Sequence, residues 1–243
     1  RMKALVVKST GSWYKVRLED GSIIDARSRG KLRTAISRNT NHITVGDIVD
    51  IDTTGEDYSI SKIYDRKNYI IRKSTNLSKE THIIAANIDL AVIVTSLKEP
   101  KLKFGFVDRF LVTAAAYQIP AVIVFNKTDL LNEGELEYLE NLREAYRNIG
   151  YESEAISVNK NSGIETIEAL ISGKISLFSG TSGVGKSSLL NALNPEIDAK
   201  VSVVSTANEK GQHTTTFAEM HQINSDSFII DTPGLKSFGL IDM

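Results

Sequence analysis

Two kinds of apolar pattern succeed one another along the chain. Short apolar runs come first, at residues 3–8, 13–18, 22–25, 47–51 and 59–64, punctuated by Gly11, Asp20-Gly21, Gly46 and Gly55. Runs of that length between glycine turns are strand signals, and a set of five predicts a small closed barrel of the OB type. Farther on, apolar strand runs alternate with amphipathic helical stretches. Strands are expected at 90–95 and 121–125, helices at 107–117 and 133–148, then a strand at 174–179, a helix at 187–193, and strands at 217–223 and 228–230. Such alternation predicts an α/β domain, doubly wound around a mainly parallel sheet with helices on both faces. Residues 65–78 have mixed charge and a weak hydrophobic period, so a linker is expected there, dividing the chain into 1–72 and 73–243.

The strand at 174–179 runs into Gly180-Thr181-Ser182-Gly183-Val184-Gly185-Lys186-Ser187, followed by Ser188 and the apolar helix face of Leu189, Leu190 and Leu193. This is the phosphate-binding pattern Gly-x-x-x-x-Gly-Lys-Ser in its required strand–turn–helix context. The glycines let the backbone turn tightly, so that successive N–H groups point at phosphate oxygens. The positive end of the helix dipole adds to that field. Lys186 brings a point charge to the β and γ phosphates, and the Ser187 hydroxyl is a Mg²⁺ ligand.

Asn126-Lys127-Thr128-Asp129 closes the strand at 121–125, at the end where open α/β sheets bind ligands. A carboxylate at Asp129 accepts two hydrogen bonds from the N1–H and exocyclic amine of guanine. Adenine has no matching donor pair and would leave that carboxylate desolvated. Asn126 is placed to hold the loop, and the Lys127 stem to cover the ring. A capping role for Asp129 is the plainer alternative. Ser157, in Ile156-Ser157-Val158, is a further candidate for backbone contact with the base, or a plain strand end.

Phe228-Ile229-Ile230 leads into Asp231-Thr232-Pro233-Gly234. Asp231 is expected to hold Mg²⁺ through water, and the Gly234 N–H to reach the γ phosphate. Upstream, Gln212-His213-Thr214-Thr215-Thr216 has the hydroxyls of a first switch loop; Thr215 is favoured as the second metal ligand, with Thr214 next. Ras-type enzymes place a water-orienting glutamine just after the Asp-x-x-Gly, where this chain has Leu235. His213, an imidazole able to exchange a proton near neutral pH, is the catalytic candidate in its place, with Lys186; an exposed loop histidine is the alternative.

The motifs occur in the order base recognition, phosphate loop, threonine switch, Asp-x-x-Gly, whereas a Ras-like GTPase puts base recognition last. That circularly permuted order resembles the RsgA (YjeQ) family of ribosome small-subunit-dependent GTPases. So do the motif sequences themselves and Ile83-Ile84-Ala85-Ala86-Asn87-Ile88-Asp89. The resemblance implies hydrolysis of GTP to GDP, stimulated by the small (30S) subunit during its late maturation, and binding to 16S rRNA. It also implies a C-terminal domain holding zinc through cysteine and histidine. This chain has no cysteine and ends soon after Gly234, so it is expected to be a truncated one, with zinc only beyond residue 243.

Charge changes the picture of the barrel. The net charge of −1 divides into +6 over residues 1–75 and −7 over the remainder. A basic first segment is suited to a polyanion. Arg27, Arg29, Lys31, Arg33 and Arg38 are expected in one long loop from Arg27 to His42, where they would contact RNA phosphates with little sequence reading; a solvated surface is the alternative. Of Trp13 and Tyr14, one is expected to stack on bases and the other to enter the core. Absence of cysteine rules out disulfides and fits the cytoplasm. No apolar run nears the ~20 residues of a membrane span, no signal peptide is expected, and a monomer is expected. A GTP-sensing RNA-binding module with incidental hydrolysis is the rival reading, kept open by Leu235. An ATP-dependent enzyme is disfavoured by Asn126 to Asp129, and a large-subunit GTPase by the basic barrel.

Overall fold

The structure, a computed structural model, describes residues 1–10, 13–29, 43–54, 57–73, 81–197 and 219–231. The first five strands are β1 (Met2–Ser9), β2 (Tyr14–Leu18), β3 (Ile23–Ser28), β4 (Ile48–Thr54) and β5 (Asp57–Ile63). They pair in the closed order β1-β2-β3-β5-β4-β1, with only the β3–β5 pair parallel. Closure leaves no free edge. Their inward positions form one apolar cluster that includes Val6, Tyr14, Val16, Ile51 and Ile60. Alternation decides the aromatic pair: Tyr14 points into this core, while Trp13 lies outside it, 37% exposed.

The expected linker departs from the sequence reading. Tyr69–Lys73 is a strand, β6, paired antiparallel with β7 (Thr81–Ala86). A boundary at 72/73 falls inside β6. Its weak period hid it: of Tyr69, Ile70 and Ile71, only Ile70 is buried, and Tyr69 is exposed.

Then follow β8 (Leu90–Ser96), α1 (Phe104–Ala116), β9 (Ala121–Asn126), α2 (Glu133–Asn148), β10 (Ser153–Ala155), α3 (Ile164–Ile171), β11 (Ile175–Gly180), α4 (Lys186–Leu193), β12 (Glu219–Gln222) and β13 (Phe228–Asp231). Strands β10, β9, β8, β11 and β13 run parallel in that spatial order, and β12 adds an antiparallel strand. β8 is buried along its whole length. Its residues alternate between two cores, as a two-sided sheet demands. Ala91 and Ile93 face α1 and α2, packing with Phe110, Leu111 and Leu139. Val92 and Val94 face α3 and α4, packing with Ile167, Leu189 and Leu190. α2 begins with a capping box in which Asn132 and Glu135 satisfy each other's backbone N–H. That accounts for the acidic start of this helix without a catalytic role.

Barrel and sheet meet along two lines. Lys8 of β1 pairs with Glu219 of β12, making the barrel continuous with the sheet. The turn before β4 docks on β7: the Ala86 N–H donates to the Val45 carbonyl at 2.9 Å, and the Asn87 amide donates to the Gly46 carbonyl at 2.8 Å. Gly46 has φ of +92°, and a Cβ there would overlap the Ala86 carbonyl oxygen, so glycine is required twice over. Beneath this turn, Asp47 is fully buried and forms a two-pronged pair with Arg66, at 2.6 and 2.7 Å.

Candidate nucleotide site

Strands β9, β8 and β11 end together at one edge of the sheet, where Ser96 lies opposite Asn126 and Gly180 opposite Val94. The phosphate loop leaves from Gly180 and enters α4 at Lys186. Gly183 and Gly185 both take positive φ, +84° and +89°. Val184 between them is buried, holding the turn to the α3–α4 core. Thr181, Lys186 and Gly185 are half-buried, whereas Ser182, Gly183, Ser187 and Ser188 are exposed. The first-turn hydroxyl of Ser187 therefore faces solvent at the mouth of the loop.

Asn126 is the keystone. It is only 4% exposed; its amide nitrogen donates to the Val184 carbonyl at 2.9 Å, and its amide oxygen accepts from the Val158 N–H at 3.1 Å. One side chain thus ties the strand end of β9 to the phosphate loop and to the loop after β10. The approach is so close that a Cβ on Gly185 would overlap the Asn126 amide nitrogen.

Asp129 sits in a short 3-10 helix, Thr128–Leu130, that follows Lys127. Its carboxylate accepts the Ser157 hydroxyl at 2.6 Å and the Asn159 amide at 3.4 Å. The Ser157 hydrogen bond holds its carboxyl below the usual carboxylate range. Thr128 locks the turn through its hydroxyl on the Ile156 carbonyl at 3.0 Å. The structure therefore brings Asn126, Asp129 and Ser157 together with the phosphate loop. It assigns Ser157 a side-chain role on Asp129, which the strand-end pattern alone did not suggest.

Lys127 differs in detail from a free ring-covering stem. It takes the left-handed region at φ 67°, and its ammonium donates to the Glu99 carbonyl at 2.7 Å. Glu99 belongs to the turn after β8, which Ser96 also grips by donating to the Pro100 carbonyl at 2.7 Å. This turn and Asn159 are parts of the site that sequence reasoning missed; Glu99 and Pro100 act through backbone carbonyls, which leave no residue-type signal.

For the metal, the backbone of Asp231 ends β13 opposite Phe178 of β11, one strand over from the phosphate loop. Serine hydroxyl and aspartate carboxylate oxygens are hard donors of the kind that Mg²⁺ takes. Among the described residues, no group of three His, Cys, Asp or Glu could hold a metal unaided. The donor set suits an ion completed by substrate phosphates, not a zinc centre, for which this chain also lacks cysteine. His213, Thr214, Thr215 and Gly234 lie outside the described residues, as do Lys31, Arg33 and Arg38. Among the described residues no helix is long and apolar enough to cross a membrane.

On the barrel, Arg27 stacks over the Trp13 ring at 3.8 Å, and Arg29 pairs with Asp52 at 3.1 Å. Both are exposed enough to exchange these partners for a phosphate, since such pairs contribute only about 1 kcal/mol or less.

An OB-type barrel, a Ras-like sheet and a base motif that precedes the phosphate loop define a circularly permuted P-loop GTPase. Residues 63–241 match the RsgA GTPase family and residues 3–60 the RsgA N-terminal domain. The chain belongs to the RsgA family. It is 48% identical, over 243 residues, to the small ribosomal subunit biogenesis GTPase RsgA 2 of Bacteroides thetaiotaomicron, covering 78% of that protein. It is 49% identical, over 246 residues, to the small ribosomal subunit biogenesis GTPase RsgA of Flavobacterium johnsoniae, covering 76% of it. In both, the whole of this chain is covered. The crystal structure of YjeQ from Thermotoga maritima superposes with a TM-score of 0.77 at 31% identity, over all of this chain and 78% of that one. That of YloQ, a circularly permuted GTPase, gives 0.73 at 27%, over all of this chain and 75% of the other.

Proposed function

We propose that this chain binds GTP and hydrolyses it to GDP and phosphate in the biogenesis of the small ribosomal subunit. Hydrolysis is stimulated by that subunit late in its maturation. The observation that carries the reading is the Asn126 tie, which sets the carboxylate of Asp129 and the phosphate loop at Val184 in one rigid frame. A guanine held at one end of that frame has its phosphates delivered to the other. The loop amides of Gly180 to Ser188 and the Lys186 charge neutralise the phosphate oxygens, which is the main protein contribution to phosphoryl transfer. Ser187, Thr215 and Asp231 are the proposed oxygen ligands of Mg²⁺, which when bound offsets charge on the β and γ oxygens. Gly234 is proposed to sense the γ phosphate, and His213 to position the attacking water.

The proposed partition, expected at 72/73, is moved ahead of β6: a barrel that ends with β5 and a nucleotide domain that takes in the β6–β7 hairpin. The barrel binds 16S rRNA through Arg27, Arg29, Lys31, Arg33 and Arg38, and the protein works as a cytoplasmic monomer. Leu235, which cannot orient water, favours a second reading: a GTP-sensing RNA-binding module whose hydrolysis is incidental. One experiment tests both, namely GTP turnover with and without small subunits, with excess ATP as competitor. Stimulated turnover that ATP does not compete away supports the enzyme. Turnover indifferent to subunits leaves the sensor, and equal competition by ATP removes the guanine site.

A further inference from the structure

The two lines along which barrel and sheet meet leave a cleft of about 400 Å³ between β1 and β2 on one side and β12 with the end of α4 on the other. Its barrel wall carries Lys8, Lys15 and Arg17; its sheet wall carries Ile197, Met220 and His221. Among the described residues lining it, the only carboxylate is Glu196. Ile23 stands at this cleft 53% exposed.

Arg17 carries the chemistry. One of its terminal nitrogens donates to the Ser225 carbonyl at 2.8 Å, and its guanidinium lies 5.5 Å from the centre of the Phe228 ring. Its Nε is buried with no acceptor among the described residues. That nitrogen is closed off from the cleft, so a phosphate there would meet the terminal nitrogens of the guanidinium, each of which carries two N–H bonds. Basic side chains beside apolar surface, in a space of this size, match an organic phosphate with a flat apolar body.

The surroundings select the source. Across β2 and β3 the outward positions form pairs: Arg17 opposite Ile23, Lys15 opposite Asp25, and beyond them Trp13 under Arg27. Two-residue steps in a strand are ~7 Å apart. The result is a stripe of three cations, Arg17, Lys15 and Arg27, with one exposed aromatic, that leads from the open barrel face into the cleft; Lys15 pairs with Asp25 at 3.1 Å, an exposed ion pair that a phosphate can replace. An electropositive track with stacking surface is the device by which proteins follow a single strand. A free nucleotide has no use for the track.

The geometry points to the seam cleft as the site for one unstacked nucleotide of single-stranded RNA, its phosphate at Lys15 and Arg17 and its base against Ile23 and Met220. This rests on the RNA-binding reading of the barrel and adds where the strand ends. Ile197 and Met220 also stand on either side of residues 198–218, which contain His213 and Thr215. RNA in the cleft therefore touches the chain at both approaches to the candidate switch.

The test uses the full chain with GDP, and a mixed-sequence RNA 12-mer carrying 4-thiouridine. After irradiation, crosslinks are mapped by mass spectrometry, and affinity is measured against salt. Crosslinks are expected in the peptides holding Ile23 or Met220. Ile23→Glu, a change at an exposed position, is expected to weaken RNA binding about tenfold, the scale of one lost base contact. Arg17→Gln is expected to lower the affinity and flatten its salt slope by about 0.7. Thermal melting and GDP affinity confirm that each variant is folded. Crosslinks confined to the Trp13 and Arg27 face, with Ile23→Glu binding as wild type, overturn the cleft and leave the RNA-binding barrel standing. No RNA binding even at low salt overturns both. Crosslinking of the cleft peptides by 4-thiouridine monophosphate, where the 12-mer gives none, assigns the space to a free nucleotide and overturns the RNA.

Discussion

The amide nitrogen of Asn126 lies 2.9 Å from the Val184 carbonyl oxygen, though 58 residues separate them in sequence. That bond passes between the base-recognition turn and the phosphate loop, so the two ends of the nucleotide are registered to each other before anything binds. Replacing Asn126 by Ala removes both this bond and the one from the Val158 N–H, and leaves buried polar backbone groups without partners. Each such loss costs about 1–3 kcal/mol. GTP affinity of Asn126→Ala is expected to fall at least tenfold, with a lowered melting temperature; calorimetric titration and a melting curve read the two effects.

Gly185→Ala attacks the same contact from the other side. Its φ of +89° disfavours any Cβ, and that Cβ would displace the Asn126 amide. The expected outcome is loss of GTP and GDP binding out of proportion to the loss of stability. Gly134→Ala is the control, since its nearest neighbour would lie 3.6 Å away and its helical position favours alanine.

The pH dependence of base recognition follows from Ser157. Its hydroxyl donates to Asp129 and stabilises the ionised carboxylate, so the carboxyl titrates below its ordinary range. A lowered pKa means that the binding-competent, charged form is fully present above the ordinary value and is lost only as pH falls through the lowered one. In Ser157→Ala the acid limb of GTP affinity is expected to move to higher pH, with little change near neutrality. An unmoved acid limb would show that another group governs it.

His213→Ala is expected to reduce subunit-stimulated turnover by about 10²-fold or more, the usual worth of a positioned proton-transfer group. Wild-type stimulated rates in that variant would remove His213 from the proposal and leave water orientation to the subunit itself.

What could be read in the sequence depended on which atoms carry the information. The phosphate loop and Asn126 to Asp129 were legible because their chemistry needs particular side chains at fixed spacing. The two-faced core of the sheet was legible because Leu90 to Val94 of β8 form an unbroken apolar run. The hairpin of β6 and β7 was missed because it offers few buried positions to make a period. The grip of Glu99 on Lys127 was missed because it is a backbone carbonyl, and any residue has one. Ser157 was noticed for its place at a strand end, yet its hydroxyl bond to Asp129 depends on a loop conformation that spacing does not encode.

The seam between the domains makes the last prediction. Arg66 grips both oxygens of Asp47, and one of them also accepts the Thr44 N–H at 2.8 Å. Thr44 in turn donates its hydroxyl to the Ile83 carbonyl of β7 at 3.2 Å. A buried pair so fully hydrogen-bonded is weak evidence of net stabilisation, but removal of one partner strands the other. Asp47→Ala takes both carboxylate oxygens from a guanidinium that is barely exposed, and it leaves the Thr44 N–H of the turn with no acceptor. A loss of about 3–5 kcal/mol is expected by denaturant unfolding. Because the same turn carries Val45 and Gly46 onto Ala86 and Asn87, the loss is expected to loosen the barrel from the sheet before either unfolds. Hydrogen exchange would show this as early exposure of the Ala86 amide, while the amides of β8 stay protected. Simultaneous exchange at both places would mean that barrel and sheet unfold as one unit.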